Sequence, residues 1–240
     1  MLIARLIRHA ESAANAGHAS DDPALIPLTD TGAAQARLIA GSFSDAPDLI
    51  VTSPYARAQA TALPTIQAYP HAETATWPVQ EFTYLAPGRC VNTTQRMRRA
   101  WVADYWELAD PDRQDGEGAE TFRAFMGRAQ AFLEALHQQN RARVAVFSHG
   151  QLINAVAWLI ERKPARIDRR AMRDYRQYEL AHPVANGWGY HLLKDKGQHT
   201  WRLGNQVNPQ GALCRNSAPL PVCGTMLLYA GKLGAPLDLP

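Results

Sequence analysis

Five residues of this chain are of types that could hold and transfer an anionic group: Arg8, His9, Arg57, Glu81 and His149. Arg8 and His9 lie in Leu6-Ile7-Arg8-His9-Ala10-Glu11-Ser12, just after the apolar start Met1-Leu2-Ile3-Ala4. A His that follows an Arg where a buried strand stops is held beside a fixed cation. An anion drawn to that cation, such as a phosphate, would lie against the imidazole. An Arg-His pair on its own is commonly a surface pair, but three further segments accompany this one. Ser53-Pro54-Tyr55-Ala56-Arg57-Ala58-Gln59-Ala60-Thr61 follows Leu49-Ile50-Val51. Glu81 lies in Val79-Gln80-Glu81-Phe82, after a third extended stretch. Ser148-His149-Gly150 follows Val144-Ala145-Val146-Phe147. The candidates thus fall just beyond the carboxyl ends of four expected strands, where open α/β sheets bind their ligands.

The elements that must position them read as follows. Residues 2–8 predict a buried strand and residues 9–28 a polar loop. Thr29 or Asp30 caps a helix that continues through AAQARLIAGSF. Residues 48–52 predict a second strand. A helix then starts near Pro54, with Pro64 as a kink position. Residues 74–82 predict an extended piece ending near Glu81. Residues 92–109 and 119–139 predict helices. The second repeats Phe122, Phe125, Met126, Ala129, Phe132, Leu133 and Leu136 at spacings of three and four, so one face should bury. Residues 143–148 predict a strand and 150–162 a mostly apolar helix. Residues 184–193 predict a late strand, with Asp195-Lys196-Gly197 as a turn and Thr200–Leu203 as its partner.

Strands alternating with helices predict an α/β fold: a three-layer sandwich with a mainly parallel central sheet flanked by helices, plus an antiparallel hairpin at the end. Residues 1–203 are expected to form one domain. Residues 204–240 form a C-terminal extension rich in Pro, Gly and Asn, with one apolar patch at Met226–Tyr229, expected to pack on the domain.

Composition narrows the function. Apolar residues make up 46% of the 240, which supports a substantial core. A net charge of +3 suits an anionic substrate and does not suggest nucleic-acid binding. No stretch approaches the ~18 apolar residues of a membrane span, and no signal peptide is visible. The three cysteines, Cys90, Cys214 and Cys223, fit a reducing cytoplasm. Cys214 and Cys223 read as ordinary thiols, since no other ligand spacing surrounds them. The eight His form no metal-ligand pattern, and no P-loop or GxGxxG is present, so neither metal nor cofactor is expected.

The combination of RHAES, SPYARAQAT, Glu81 and SHG, in this order and at about this spacing, resembles the histidine phosphatase superfamily, the phosphoglycerate mutase-like group. The resemblance spans roughly residues 1–195. It implies a phosphoric monoester hydrolase of the histidine acid phosphatase type, acting without metal on a small phosphomonoester through a phosphohistidine. His9 would be the nucleophile, Arg8 and Arg57 the phosphate clamp, and His149 a further donor to the transferred group. Glu81 as general acid rests on the resemblance more than on its surroundings; Glu107, Glu117 and Glu120 compete for the role. Asn15 would donate its amide to the phosphate, or cap its loop. Asn186-Gly187 reads as mainly structural.

Two departures bear on function. Ala10 stands where the family has Gly, which is tolerable if φ there is negative. Ala14 stands where mutases usually carry Trp, which favours hydrolysis over phosphoryl transfer between hydroxyls. A mutase-type transferase and a non-catalytic phosphate-binding module remain as alternatives. Trp101, Tyr105 and Trp106 line either the pocket or a helix's core face. The basic run from Arg162 to Arg176 is a solvated helix face or a steering surface for polyanions. The substrate and the oligomeric state are not readable.

Overall fold

The computed structural model describes residues 1–195, 198 and 200–209. Its elements in chain order are β1 (Leu2–Arg8), α1 (Asp30–Gly41), β2 (Leu49–Thr52), α2 (Ala56–Ala68), β3 (Glu73–Thr76), α3 (Pro87–Cys90), α4 (Arg99–Leu108) and α5 (Phe122–His137). Then come β4 (Arg143–Ser148), α6 (Gly150–Arg162), α7 (Arg169–Ala181), β5 (Gly189–Lys194) and β6 (Arg202–Val207).

The strands form one six-stranded sheet in the order β3-β2-β4-β1-β5-β6. The pairs β3-β2, β2-β4 and β4-β1 are parallel, whereas β1-β5 and β5-β6 are antiparallel. This is the expected α/β sandwich with a terminal hairpin, whose second strand runs to Val207 instead of ending at Leu203, so residues 204–207, expected in the extension, belong to the sheet. The apolar runs of β1, β2 and β4 follow from this placement, because both sheet faces are covered. On one face, Ile7, Ile50, Ala145 and Phe147 pack with Ile39 of α1 and Ala62 of α2. On the other, Leu2, Ala4, Leu6, Val144 and Val146 join the larger core with α5, α6 and α7.

Register aligns the site. Arg8 pairs with Ser148 across β1 and β4, so His9 and His149 follow at the same level. Thr52 pairs with Phe147 across β2 and β4, which brings Ser53 to that edge. The strand that carries His9 is one of the two central strands, paired on both sides, which fixes its end against drift.

Several boundaries differ from the sequence reading. The expected helix over 92–109 is a helix only from Arg99. Asn92 takes φ +56°, and Thr93 and Arg98 fold the intervening chain into turns through bonds to Cys90 and Thr93 carbonyls. The extended piece over 74–82 pairs only to Thr76; Pro78 has no N–H to continue the ladder. The late strand begins at Gly189, because Gly187 at φ +77° turns the chain first. Thr121 caps α5 by accepting from Ala124 N–H, which sets its start at Phe122, three residues after the expected start at 119. Thr29 is the cap of α1, accepting from Gly32 N–H.

The basic run forms α7 and its approach. Met172, Tyr175 and Tyr178 bury one face, while Arg169, Arg170 and Arg173 are exposed. Tyr105 and Trp106 are buried in the core rather than lining a pocket, and Trp101 packs under Arg89. Among the described residues no helix is long and apolar enough to cross a membrane. Cys214, Cys223, the patch Met226–Tyr229, and Lys196 and Gly197 of the expected turn lie outside the described residues.

Candidate active site

All six residues singled out by sequence line one cleft of about 510 Å³ or its floor. Arg8, His9, Asn15, Arg57 and Glu81 line it directly, and His149 lies fully buried behind Arg57. Such a volume suits a small organic ligand.

His9 is 3% exposed, and its ring is oriented at both nitrogens. Nδ1 lies 2.7 Å from the Ala10 carbonyl oxygen, which can only accept, so Nδ1 carries the proton. Nε2 then presents its lone pair and accepts from Arg57 Nε at 3.1 Å. Burial, then Arg57 and Arg8, holds the imidazole well below its ordinary range. It is therefore held neutral at neutral pH, with Nε2 unprotonated.

Arg57 organises the floor. Besides His9 it donates from Nη1 to the Pro23 carbonyl at 2.6 Å and from Nη2 to His149 Nδ1 at 3.1 Å. Of its five N–H groups these three bonds leave two for a ligand. Since His149 Nδ1 accepts, Nε2 carries the proton and donates to Ser53 Oγ at 2.8 Å. Burial, then Arg57, keeps His149 well below its usual value as well. The two imidazole rings lie 5.1 Å apart.

Arg8 spends Nη1 on the Val184 carbonyl, 2.6 Å away, while its buried Nε has no partner. Gly150, at the start of α6, lies against it: a Cβ there would sit 3.6 Å from Nε. Desolvation lowers both arginines from their ordinary values without discharging them. The floor thus holds two largely buried guanidiniums with Glu81 as the neighbouring carboxylate. A phosphate dianion would offset that excess of positive charge.

Glu81 is not at a strand end. It sits in the loop after β3, five residues beyond Thr76. Its neighbour Phe82 is 3% exposed and stacks on Phe125 at 4.3 Å, pinning the loop into the core. Arg128 donates to the Pro78 and Gln80 carbonyls, and Ser148 Oγ to that of Val79. The carboxylate accepts from Phe82 N–H and from Gln151 N–H in the first turn of α6. Desolvation pushes its pKa up, against the pull of Arg57 and Arg8. Of the competing acids, Glu120 is paired with Arg128 at 2.7 Å, and Glu107 and Glu117 are exposed.

Asn15 Oδ1 accepts from Ser12 N–H, Ser12 Oγ and Asn186 Nδ2. Its Nδ2 takes no part in those bonds, so loop capping and ligand donation are compatible. Asn186 also donates to the His9 carbonyl at 2.9 Å, the structural role expected of it. Ala10 is fully buried and has a negative φ, so the missing Gly costs nothing there.

Sequence reading missed the supports. Thr61 Oγ1 accepts from Ala10 N–H and donates to the Arg57 carbonyl, linking the loop after His9 to α2. Ser53 Oγ accepts from His149 Nε2, and Gln151 N–H holds the Glu81 carboxylate. Thr61 stands one helical turn after Arg57, the sole sequence signal for it. Gly32 is also required: a Cβ there would lie 2.0 Å from the Glu11 carbonyl oxygen. Among the described residues, no group of three or more His, Cys, Asp or Glu is placed to hold a metal ion.

Solved structures share this architecture. The α-ribazole phosphatase of Shigella flexneri gives a TM-score of 0.63 at 23% identity, covering 84% of this chain and 94% of that one. A phosphoserine phosphatase from Entamoeba histolytica gives 0.65 at 21%, covering 88% and 98%. Mycobacterial glucosyl-3-phosphoglycerate phosphatase gives 0.64 at 19%, covering 84% and 96%. At these identities the likeness is one of fold. No curated protein matches the chain. The family model for histidine phosphatase superfamily (branch 1) matches residues 5–196, and with four-fifths of its length so matched the chain belongs to that superfamily.

Proposed function

We propose that the protein is a metal-independent phosphatase that hydrolyses a small phosphomonoester through a phosphohistidine at His9. Family membership supports hydrolysis of small phosphoesters as the general class. The observation that carries the finer reading is the fixed tautomer of His9, with Nε2 unprotonated and facing the guanidinium of Arg57.

In the first step His9 Nε2 attacks phosphorus and the bond from phosphorus to the ester oxygen breaks. Glu81, whose raised pKa favours the protonated form, gives its proton to the departing oxygen. Arg8 and Arg57 surround the non-bridging oxygens and offset charge as it redistributes. His149, with both ring nitrogens engaged behind Arg57, orients that guanidinium rather than donating to the phosphate as the sequence suggested. In the second step Glu81 takes a proton from water, whose oxygen attacks phosphorus. The bond from phosphorus to Nε2 breaks, phosphate leaves, and His9 returns to its neutral form.

The cleft wall above this floor carries Phe82, Tyr84, Leu85 and Val102, with Arg96 and Arg99 at the rim. Such a wall suits a leaving group of small or medium size with some apolar surface. The test is hydrolysis of 4-nitrophenyl phosphate in excess EDTA, wild type against His9→Ala. Activity lost in the variant supports the proposal; equal activity in both removes it.

A further inference from the structure

A second cavity, of about 440 Å³, opens toward the amino ends of β1 and β4, away from the catalytic cleft. Arg5 enters it from β1, on the sheet face that otherwise carries Ile3 and Ile7. Arg5 is only 6% exposed. Its Nη1 makes one long bond to the Ser42 carbonyl, 3.4 Å, and its guanidinium lies 4.6 Å over the Phe43 ring. Its Nη2 is buried with no partner.

Among the described residues no carboxylate forms an ion pair with this cation. Burial alone holds its pKa down to about 10, so it remains charged at neutral pH. Asp45 lines the cavity but makes no ion pair with Arg5 among the described residues; its carboxylate accepts from Ser44. Arg143, also on the wall, is paired with Asp48 at 3.0 Å. His191 stands opposite Arg5 in register and is kept below its ordinary pKa by burial and by Arg5. An unpaired buried cation is unfavourable unless an anion completes it. Here the Arg5 side chain lines a cavity large enough to admit one.

We propose that this cavity is a second binding site, for a small carboxylate carried on an apolar or aromatic body. The carboxylate pairs with the Arg5 guanidinium, which turns toward it on binding, and the body lies among Ile3, Phe43 and Val207. This site does not depend on the catalytic reading.

The test is calorimetric titration of the full chain with 3-phenylpropionate and with its amide, 3-phenylpropionamide. Excess inorganic phosphate is present to keep the probe out of the catalytic cleft. The acid should bind saturably at one site, and the amide about tenfold more weakly or worse. Arg5→Gln should lose affinity by a similar factor. Gly41→Trp fills the cavity from a position whose added Cβ meets nothing within 4 Å. It should abolish binding and leave ester hydrolysis unchanged, and it keeps the test decisive if Arg5→Gln does not fold. Asp45→Asn should tighten binding. Absence of saturable binding, equal binding of acid and amide, or binding retained in Gly41→Trp would overturn the proposal.

Discussion

Thr61 is fully buried, and its hydroxyl lies between two backbone groups of the site. It accepts from Ala10 N–H at 3.0 Å and donates to the Arg57 carbonyl at 2.6 Å. Thr61→Val keeps the shape and removes both bonds. The Arg57 carbonyl still has its helical partner, so that loss contributes about 1 kcal/mol. Ala10 N–H is left buried with no acceptor, which costs about 1–3 kcal/mol. Together these amount to about 2–4 kcal/mol, or a fall in Tm of roughly 4–16 °C for a chain of this size. Ala10 also supplies the carbonyl that orients His9, so kcat should fall roughly 10–100-fold. Thr61→Ser keeps the hydroxyl and should restore kcat while losing about 1 kcal/mol for the methyl. Thermal melts by circular dichroism and initial rates on an aryl phosphate read both effects. A valine variant that melts within about a degree of wild type and retains its kcat would refute the reasoning.

Three further predictions concern other parts of the molecule. Glu81→Gln should lower kcat about 10²–10⁴-fold for an alkyl phosphate, and much less for an aryl phosphate whose leaving group needs no proton; equal losses on both would dismiss Glu81 as the acid. Gly32→Ala places a Cβ 2.0 Å from the Glu11 carbonyl oxygen and should destabilise the fold, while Gly127→Ala, exposed within α5 with open space at its Cβ, should stabilise it by about 0.5–1 kcal/mol. Denaturant titrations of the two variants check the contrast. Stability should also fall with acidification. His9 and His149 have folded pKa values well below 6.5, so the unfolded chain binds those protons more readily. Their contribution is present above pH 6.5 and lost as pH falls toward the depressed values. Glu81 acts oppositely: raised from 4.5, its contribution is present at low pH and lost as pH rises through the folded value. Urea midpoints measured from about pH 7 to about pH 5 should therefore drop, and the slope should be shallower in His149→Gln.

The sheet and the positions of Arg8, His9, Arg57 and His149 were legible because apolar runs mark strands and the residues after them inherit the strand ends. Glu81 was found by motif, but its placement was not legible. A strand does not carry it; Phe82, buried among aromatic rings from α4 and α5, does, and those contacts are remote in sequence. Helical composition over 92–109 hid the turns, since nothing local announces the left-handed Asn92. Arg57 read as a phosphate clamp, yet its bonds to both histidines come from the alignment of β1 and β4, which no spacing encodes. Ser53 and Thr61 lay within the quoted motif without a visible role, because each partner is on another element.

The most direct measurement is to quench the enzyme during turnover of a phosphate ester and map the phosphoryl group on the chain by mass spectrometry. The predicted result is an acid-labile, base-stable phosphoramidate on His9 in wild type, absent from His9→Ala. Its amount should increase in a Glu81 variant assayed with an aryl phosphate, since water then lacks its base. Steady hydrolysis with no phosphoryl group on His9 at any quench time, or with the label on another residue, would contradict the proposed role of His9.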